Sequence, residues 1–275
     1  MKKLKLFTIF AVMIMTLFSC GPKKTQKMLV IYYSQTSNTK LVADEIAARL
    51  NTDIEAIEAV EPYDGDFMAT IERCMKEREA GILPEIQPIK SNLKKYDVIF
   101  IGYPIWFGTY APPIITFLNN YDLSGKTIVP FCTFGSGGLE SSVIDLKKAQ
   151  PNAKILEGYG VRAARLDAVP QEIGRFLKEN DFIEGKYIKL DEFSEQHPVN
   201  EEETAIFVAA TGDYPMMHAK AKTVASRVIP NGTEYLFVAV DEPREEKPDM
   251  PPAGELQVYV IVIGEESPVF TKVVR

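Results

Sequence analysis

A buried strand that runs directly into a hydroxyl-rich loop and then a helix constrains this chain more than any other feature. Met28-Leu29-Val30-Ile31-Tyr32-Tyr33 is apolar or β-prone throughout and reads as a strand. From Lys40 to Leu50, the residues Val42, Ile46 and Leu50 recur at helical spacing among charges, so a helix follows. Between them Ser34, Gln35, Thr36, Ser37, Asn38 and Thr39 offer four hydroxyls, two amides and the free N–H groups of a helix N-terminus. Such a loop suits a phosphate, because the N–H groups and the positive end of the helix dipole point at it. It equally suits a plain cap that satisfies orphan N–H groups. No Gly-Lys-Ser/Thr closes the loop as a polyphosphate site requires, and no glycine between Met28 and Gly65 makes a dinucleotide fingerprint. Neutral donors fit a single terminal phosphate.

Strands and helices alternate beyond this point. Asp53 to Val60 reads as a second strand and about Asp66 to Gly81 as a charged helix. Tyr96 to Gly102 is a buried strand, Pro112 to Leu118 an apolar helical segment and Thr127 to Phe131 a fourth strand. Gly138 to Ala149 is amphipathic, Lys154 to Leu156 extends toward Val161 as a fifth strand, and Pro170 to Asn180 closes the series as a helix. This alternation predicts an α/β fold with a five-stranded parallel sheet covered on both faces. Ligands of such folds sit beyond the carboxyl ends of the strands.

The pattern changes after Lys189. An acidic stretch, Asp191 to Glu203, leads to a short helix at Thr204 to Ala210. Four extended segments follow: Met217 to Ile229, Thr233 to Asp241, Leu256 to Gly264 and Val269 to Val274. Asn231-Gly232 marks a hairpin between the first two, and Asp241 to Gly254 is a Pro- and charge-rich loop. Residues 190–275 therefore read as a small α+β domain with an antiparallel sheet.

At the other end, Lys2, Lys3 and Lys5 precede an apolar run from Leu6 to Phe18 that is short for a spanning helix and has the basic start of a secretory signal. Leu17-Phe18-Ser19-Cys20 resembles the lipobox of bacterial lipoproteins. That resemblance implies a signal peptide over residues 1–19, cleavage before Cys20, acylation of Cys20 and a tether over 20–27. The mature chain would be lipid-anchored in a bacterial cell envelope, facing the periplasm. Loss of the signal takes the formal charge from −7 to −10, with 28 basic residues against 38 acidic ones. So acidic a chain has no electrostatic footprint for nucleic acid. The remaining cysteines, Cys74 and Cys132, read as unpaired, and no metal-ligand spacing is visible.

Two further loops follow strands. The third strand delivers Pro104-Ile105-Trp106-Phe107-Gly108, with the chain's single tryptophan, and exposed aromatic surface of this kind needs a cover. A flat heteroaromatic ring stacked on the indole would supply it; so would packing against a neighbouring loop or the C-terminal unit. The fourth strand delivers Thr133-Phe134-Gly135-Ser136-Gly137-Gly138, small residues that let backbone approach a ligand or simply form a flexible turn.

Taken together, residues 28 to about 180 resemble flavodoxin. The loop from Ser34 to Thr39 is similar to the family's T/S-x-T-G-N-T phosphate loop, with Ser37 in place of glycine, and the other two loops resemble its two flavin loops. The absence of a long insertion near Leu156 resembles short-chain members. The resemblance implies a flavodoxin-like domain over 28–185 with strand order 2-1-3-4-5, and bound FMN. The phosphate would rest on Ser34, Thr36, Ser37, Asn38 and Thr39 of the loop that also holds Gln35. Trp106 would stack on the isoalloxazine, main chain near Phe107-Gly108 would meet the reduced N5, and backbone of Thr133 to Gly138 would meet the pyrimidine edge. An acidic, partly apolar site would lower the potential of the second electron step.

Three functions fit: an FMN-dependent electron carrier with a partner protein or quinone, an NAD(P)H- or quinone-reducing enzyme, or a binding module that lost its flavin. The C-terminal unit would dock a redox partner, cap the flavin near Tyr214, Met216, Met217 and His218, or serve structure alone.

Overall fold

The computed structural model describes residues 26–64, 66–212, 214, 217–241 and 254–274. The expected signal segment, Cys20, most of the expected tether, Met216 and the centre of the Pro-rich loop lie outside the described residues.

The first domain is built from β1 (Met28–Tyr32), α1 (Asn38–Leu50), β2 (Asp53–Ala56), α2 (Phe67–Ala80), β3 (Val98–Trp106), β4 (Thr109–Tyr110), α3 (Pro112–Asn120), β5 (Thr127–Phe134), α4 (Leu139–Ala149), β6 (Lys154–Ile155), β7 (Tyr159–Arg162) and α5 (Val169–Glu179). Its parallel sheet runs β2-β1-β3-β5, followed at the edge by β6 and β7, both paired with β5. This is the expected 2-1-3-4-5 winding with the fifth strand split. Pro130 falls between the two paired stretches of β5, and a proline has no N–H to offer an edge strand there.

Near-continuous burial along β1, β3 and β5 leaves both sheet faces to be covered by helices. Ile99, Ile101 and Tyr103 pack on one side with Ile114 and Phe117 of α3 and Leu146 of α4. Val98 and Phe100 pack on the other with Val42 and Ile46 of α1 and Ile173 and Leu177 of α5. Cys74 and Cys132 are free and buried.

Three extents differ from the sequence reading. β2 ends at Ala56 rather than Val60, because the chain leaves the edge there and Val60 is exposed. β3 continues through Pro104–Trp106 and turns back as β4, so the aromatic loop is a hairpin. β5 runs on to Phe134, which places Thr133 and Phe134 within the buried strand rather than in a loop.

The second domain holds β8 (His197–Pro198), α6 (Glu201–Thr211), β9 (Ala219–Ile229), β10 (Gly232–Asp241), β11 (Glu255–Ile263) and β12 (Val269–Val274). Its antiparallel sheet runs β12-β11-β10-β9-β8. α6 starts earlier than expected because Asn200 and Glu203 form a reciprocal capping box. Phe207 of α6 packs on Val224, Phe237, Val258 and Phe270. The β9–β10 turn lies at Pro230-Asn231, since Gly232 already pairs with Ile229; Asn231 takes the positive φ of 66°.

Candidate functional site

β1, β3 and β5 end at one edge of the sheet, and each hands the chain to a loop that faces the others. Tyr33 closes the first strand by donating its N–H to the Gly102 carbonyl at 2.9 Å. The chain then turns at Ser37, which stands left-handed at φ 65° as the N-cap of α1 and makes no side-chain cap bond. Among the described residues, the Thr36 and Ser37 N–H groups have no backbone partner. The first-turn N–H groups of α1 cannot have an intrahelical one. Ser34 Oγ accepts from the Lys40 N–H at 3.3 Å, and Lys40 itself pairs with Asp44 at 2.5 Å.

Two side chains of this loop tie it to the rest of the site. Gln35 Nε2 donates to the Tyr63 carbonyl at 2.9 Å and to Thr70 Oγ1 of α2 at 2.7 Å. Thr39 is buried, and its hydroxyl bonds the Thr133 hydroxyl of β5 at 2.9 Å.

The aromatic hairpin pairs Ile105 with Tyr110 and Trp106 with Thr109. Its turn residues, Phe107 and Gly108, stand at φ 51° and 84°, the combination of a type I′ turn, and phenylalanine is an unusual occupant of the first position. Trp106 is half-buried and meets Tyr33 and Tyr63 edge-on, with ring centroids 5.8 and 5.2 Å away. Tyr63 is braced in turn by the Arg73 guanidinium 3.9 Å from its ring and by a 2.6 Å bond to Glu77. Burial and that bond push the Tyr63 phenol well above its usual range. Helix α4 fastens the hairpin from the other side: Thr109 Oγ1 donates to Asp145 at 2.9 Å, and Ser141 Oγ donates to the Gly108 carbonyl at 2.6 Å.

These loops enclose a cavity of about 680 Å³, within the ordinary range for a cofactor or drug-sized ligand. Gln35, the hairpin residues Ile105 to Gly108 and the loop Gly135 to Gly138 line it. Ser34, Thr36, Ser37 and Asn38 flank Gln35 outside its wall, Pro104 lies within β3, and Thr39, Thr133 and Phe134 are buried behind it. The sequence reading missed Phe67, Thr70 and Ile71 of α2, and Glu140 and Ser141 of α4. Phe67 and Ile71 stand one helical turn apart, a signal present in the sequence but masked by the surrounding charges. It also missed Val273 and Val274 of β12 as lining residues beside Tyr214, and nothing local to those valines marks them. Phe67 and Phe107, 78% and 58% exposed, mark the open mouth.

A doubly wound parallel sheet with its pocket at the carboxyl ends of the first, third and fourth strands places the cavity where α/β folds of this class hold their ligands. The chain belongs to the flavodoxin family: residues 27–169, just over half of it, match the family profile described as Flavodoxin. A candidate flavoprotein from Bacteroides eggerthii is 33% identical, with 56% of this chain and 97% of that one covered and a TM-score of 0.49. A flavoprotein from Lactobacillus acidophilus, solved in complex with FMN, is 25% identical over 53% of this chain and 97% of that one, with a TM-score of 0.44. Oxidised flavodoxin 2 from Bacillus cereus is 19% identical over 56% and 99%, with a TM-score of 0.37. No curated protein matches the chain.

Proposed function

We propose that this protein is an FMN-binding electron-transfer flavoprotein, held at a bacterial membrane by acylated Cys20 and facing the periplasm. The observation that carries the reading is the convergence of three loops on one cavity, with the N-terminus of α1, which Ser37 leaves without a side-chain cap bond, beside it and the Trp106 ring in its wall. The donor set fits a flavin mononucleotide. Ser34, Thr36, Ser37, Asn38 and the α1 N–H groups would hold the phosphate without a cation of their own. Trp106 would cover a ring face, and backbone of Gly135 to Gly138 would meet a ring edge.

Bound there, FMN would supply one- and two-electron redox chemistry, and the protein would supply position and electrostatics. Tyr33 and Tyr63 keep Trp106 upright, and the Gly108 carbonyl is fixed by Ser141. The titratable side chains in the described lining are Glu140 and Tyr214, and Glu140 is already paired with Lys272 at 2.7 Å. A wall of this kind suits electron passage better than acid–base work.

The test is a visible-absorption titration of the full chain, in detergent, with FMN, followed by stepwise anaerobic reduction. Tight binding with two separable one-electron steps supports the carrier. Steady oxidation of NAD(P)H with a quinone acceptor would reassign the protein as a reductase. Protein that stays colourless after incubation with FMN would remove redox chemistry altogether.

A further inference from the structure

The two domains meet along a seam at the cavity itself. The Val273 N–H of β12 donates to the Ser136 carbonyl at 2.6 Å. Arg162, at the end of β7, donates from Nε to the Gly135 carbonyl at 2.9 Å and from Nη1 to the Phe270 carbonyl at 2.6 Å. Its guanidinium lies 4.1 Å from the Phe270 ring centroid and 5.4 Å from that of Tyr214, within cation–π range. A Cβ on Gly137 would stand 2.0 Å from the Val273 carbonyl oxygen, so this backbone-to-backbone approach needs a residue without a side chain. The Tyr214 hydroxyl is 3.5 Å from the position a Cβ of Gly135 would take.

This seam does more than join two domains. In a trans peptide, the carbonyl and the following N–H point in opposite directions. Anchoring the Gly135 and Ser136 carbonyls at the seam therefore fixes the Ser136 and Gly137 N–H groups pointing away from it. Neither N–H has a backbone partner among the described residues, and both residues line the cavity.

We propose that the C-terminal antiparallel domain is a built-in wall of the flavin site: Tyr214 and the Val273–Val274 end of β12 complete the cavity, and the seam holds the Gly135–Gly138 loop in its ligand-binding orientation. The proposal rests on the FMN-binding reading. FMN is then gripped between two domains of one chain, with the donors of the glycine loop oriented before it arrives.

The experiment is hydrogen exchange of the full chain in detergent, read by mass spectrometry with and without saturating FMN, together with the FMN affinity of Tyr214→Ala. FMN is expected to slow exchange in β12 and around Tyr214 as well as in residues 34–39, 104–108 and 133–138. Tyr214→Ala is expected to raise the Kd about tenfold, the effect of losing one aromatic contact. Slowing confined to the first-domain loops, with FMN bound, overturns the proposal while leaving FMN binding intact. Absence of FMN binding overturns the functional reading and the proposal with it. The exchange measurement needs no variant, so a misfolded Tyr214→Ala protein does not remove the test.

Discussion

The hydroxyls of Thr39 and Thr133 bond each other at 2.9 Å inside the protein, the two side chains being 1% and 4% exposed. This contact joins the first turn of α1 to the end of β5, and so ties the phosphate-type loop to the glycine loop. Removing one hydroxyl strands the other away from water, at a cost of about 1–3 kcal/mol. Thr39→Val and Thr133→Val should each lower stability by that amount in urea unfolding. The double variant should lose clearly less than the sum, because no buried hydroxyl is left unpaired.

The hairpin turn holds a second testable compromise. Phe107 is exposed yet stands at a positive φ of 51°, where asparagine or glycine is favoured in a type I′ turn. Phe107→Asn should raise stability by about 1 kcal/mol, since left-handed backbone costs a bulky residue about that much. Thermal unfolding of the two proteins checks this, and a lower midpoint in the variant would refute it.

Asp145 gives the hairpin a dependence on acid. Its bond to Lys148, opposed by partial burial and helped by the Thr109 hydroxyl, holds its carboxyl below the ordinary range. A carboxyl lowered in the folded state contributes stability above its unfolded value of about 3.9, and that contribution disappears as pH falls through the lowered folded value. Asp145→Asn should therefore cost stability at neutral pH, with the gap from the parent protein closing in acid below about pH 4. A gap that stays constant from neutral to acid pH would show that Asp145 does not titrate as described.

Membrane attachment makes a separate prediction. Cys20→Ser removes the sulfur that the lipobox resemblance marks for acylation and with it the cleavage site, so the variant should carry no acyl chain and should keep residues 1–19. Mass spectrometry checks this: the parent protein should show an acylated N-terminal Cys20, and the variant the unmodified, uncleaved N-terminus. A parent protein with an unmodified, uncleaved N-terminus would sink the lipoprotein reading.

Much of the fold was legible because its signals are local. The apolar runs of β1, β3 and β5, with amphipathic helices between them, specify a parallel sheet covered on both faces. Strand ends were less legible. Trp106 reads as loop because Pro104 and Gly108 bracket it, whereas pairing with Thr109 makes it strand. The split edge strand has its cause in Pro130, on the neighbouring strand, where no periodicity at Leu156 could reveal it.

By itself, the sequence determined the doubly wound domain, the three loops at its strand ends and a separate antiparallel unit, since hydrophobic period and turn chemistry act within a few residues. Tertiary structure alone decided that Gln35 is tied to α2, that Thr39 turns inward to Thr133, and that β12 closes on Ser136 from far along the chain. Those choices depend on which hydrogen-bond partners and ring faces come together once the two cores have packed. No local pattern around Val273 encodes the distant loop that it will meet.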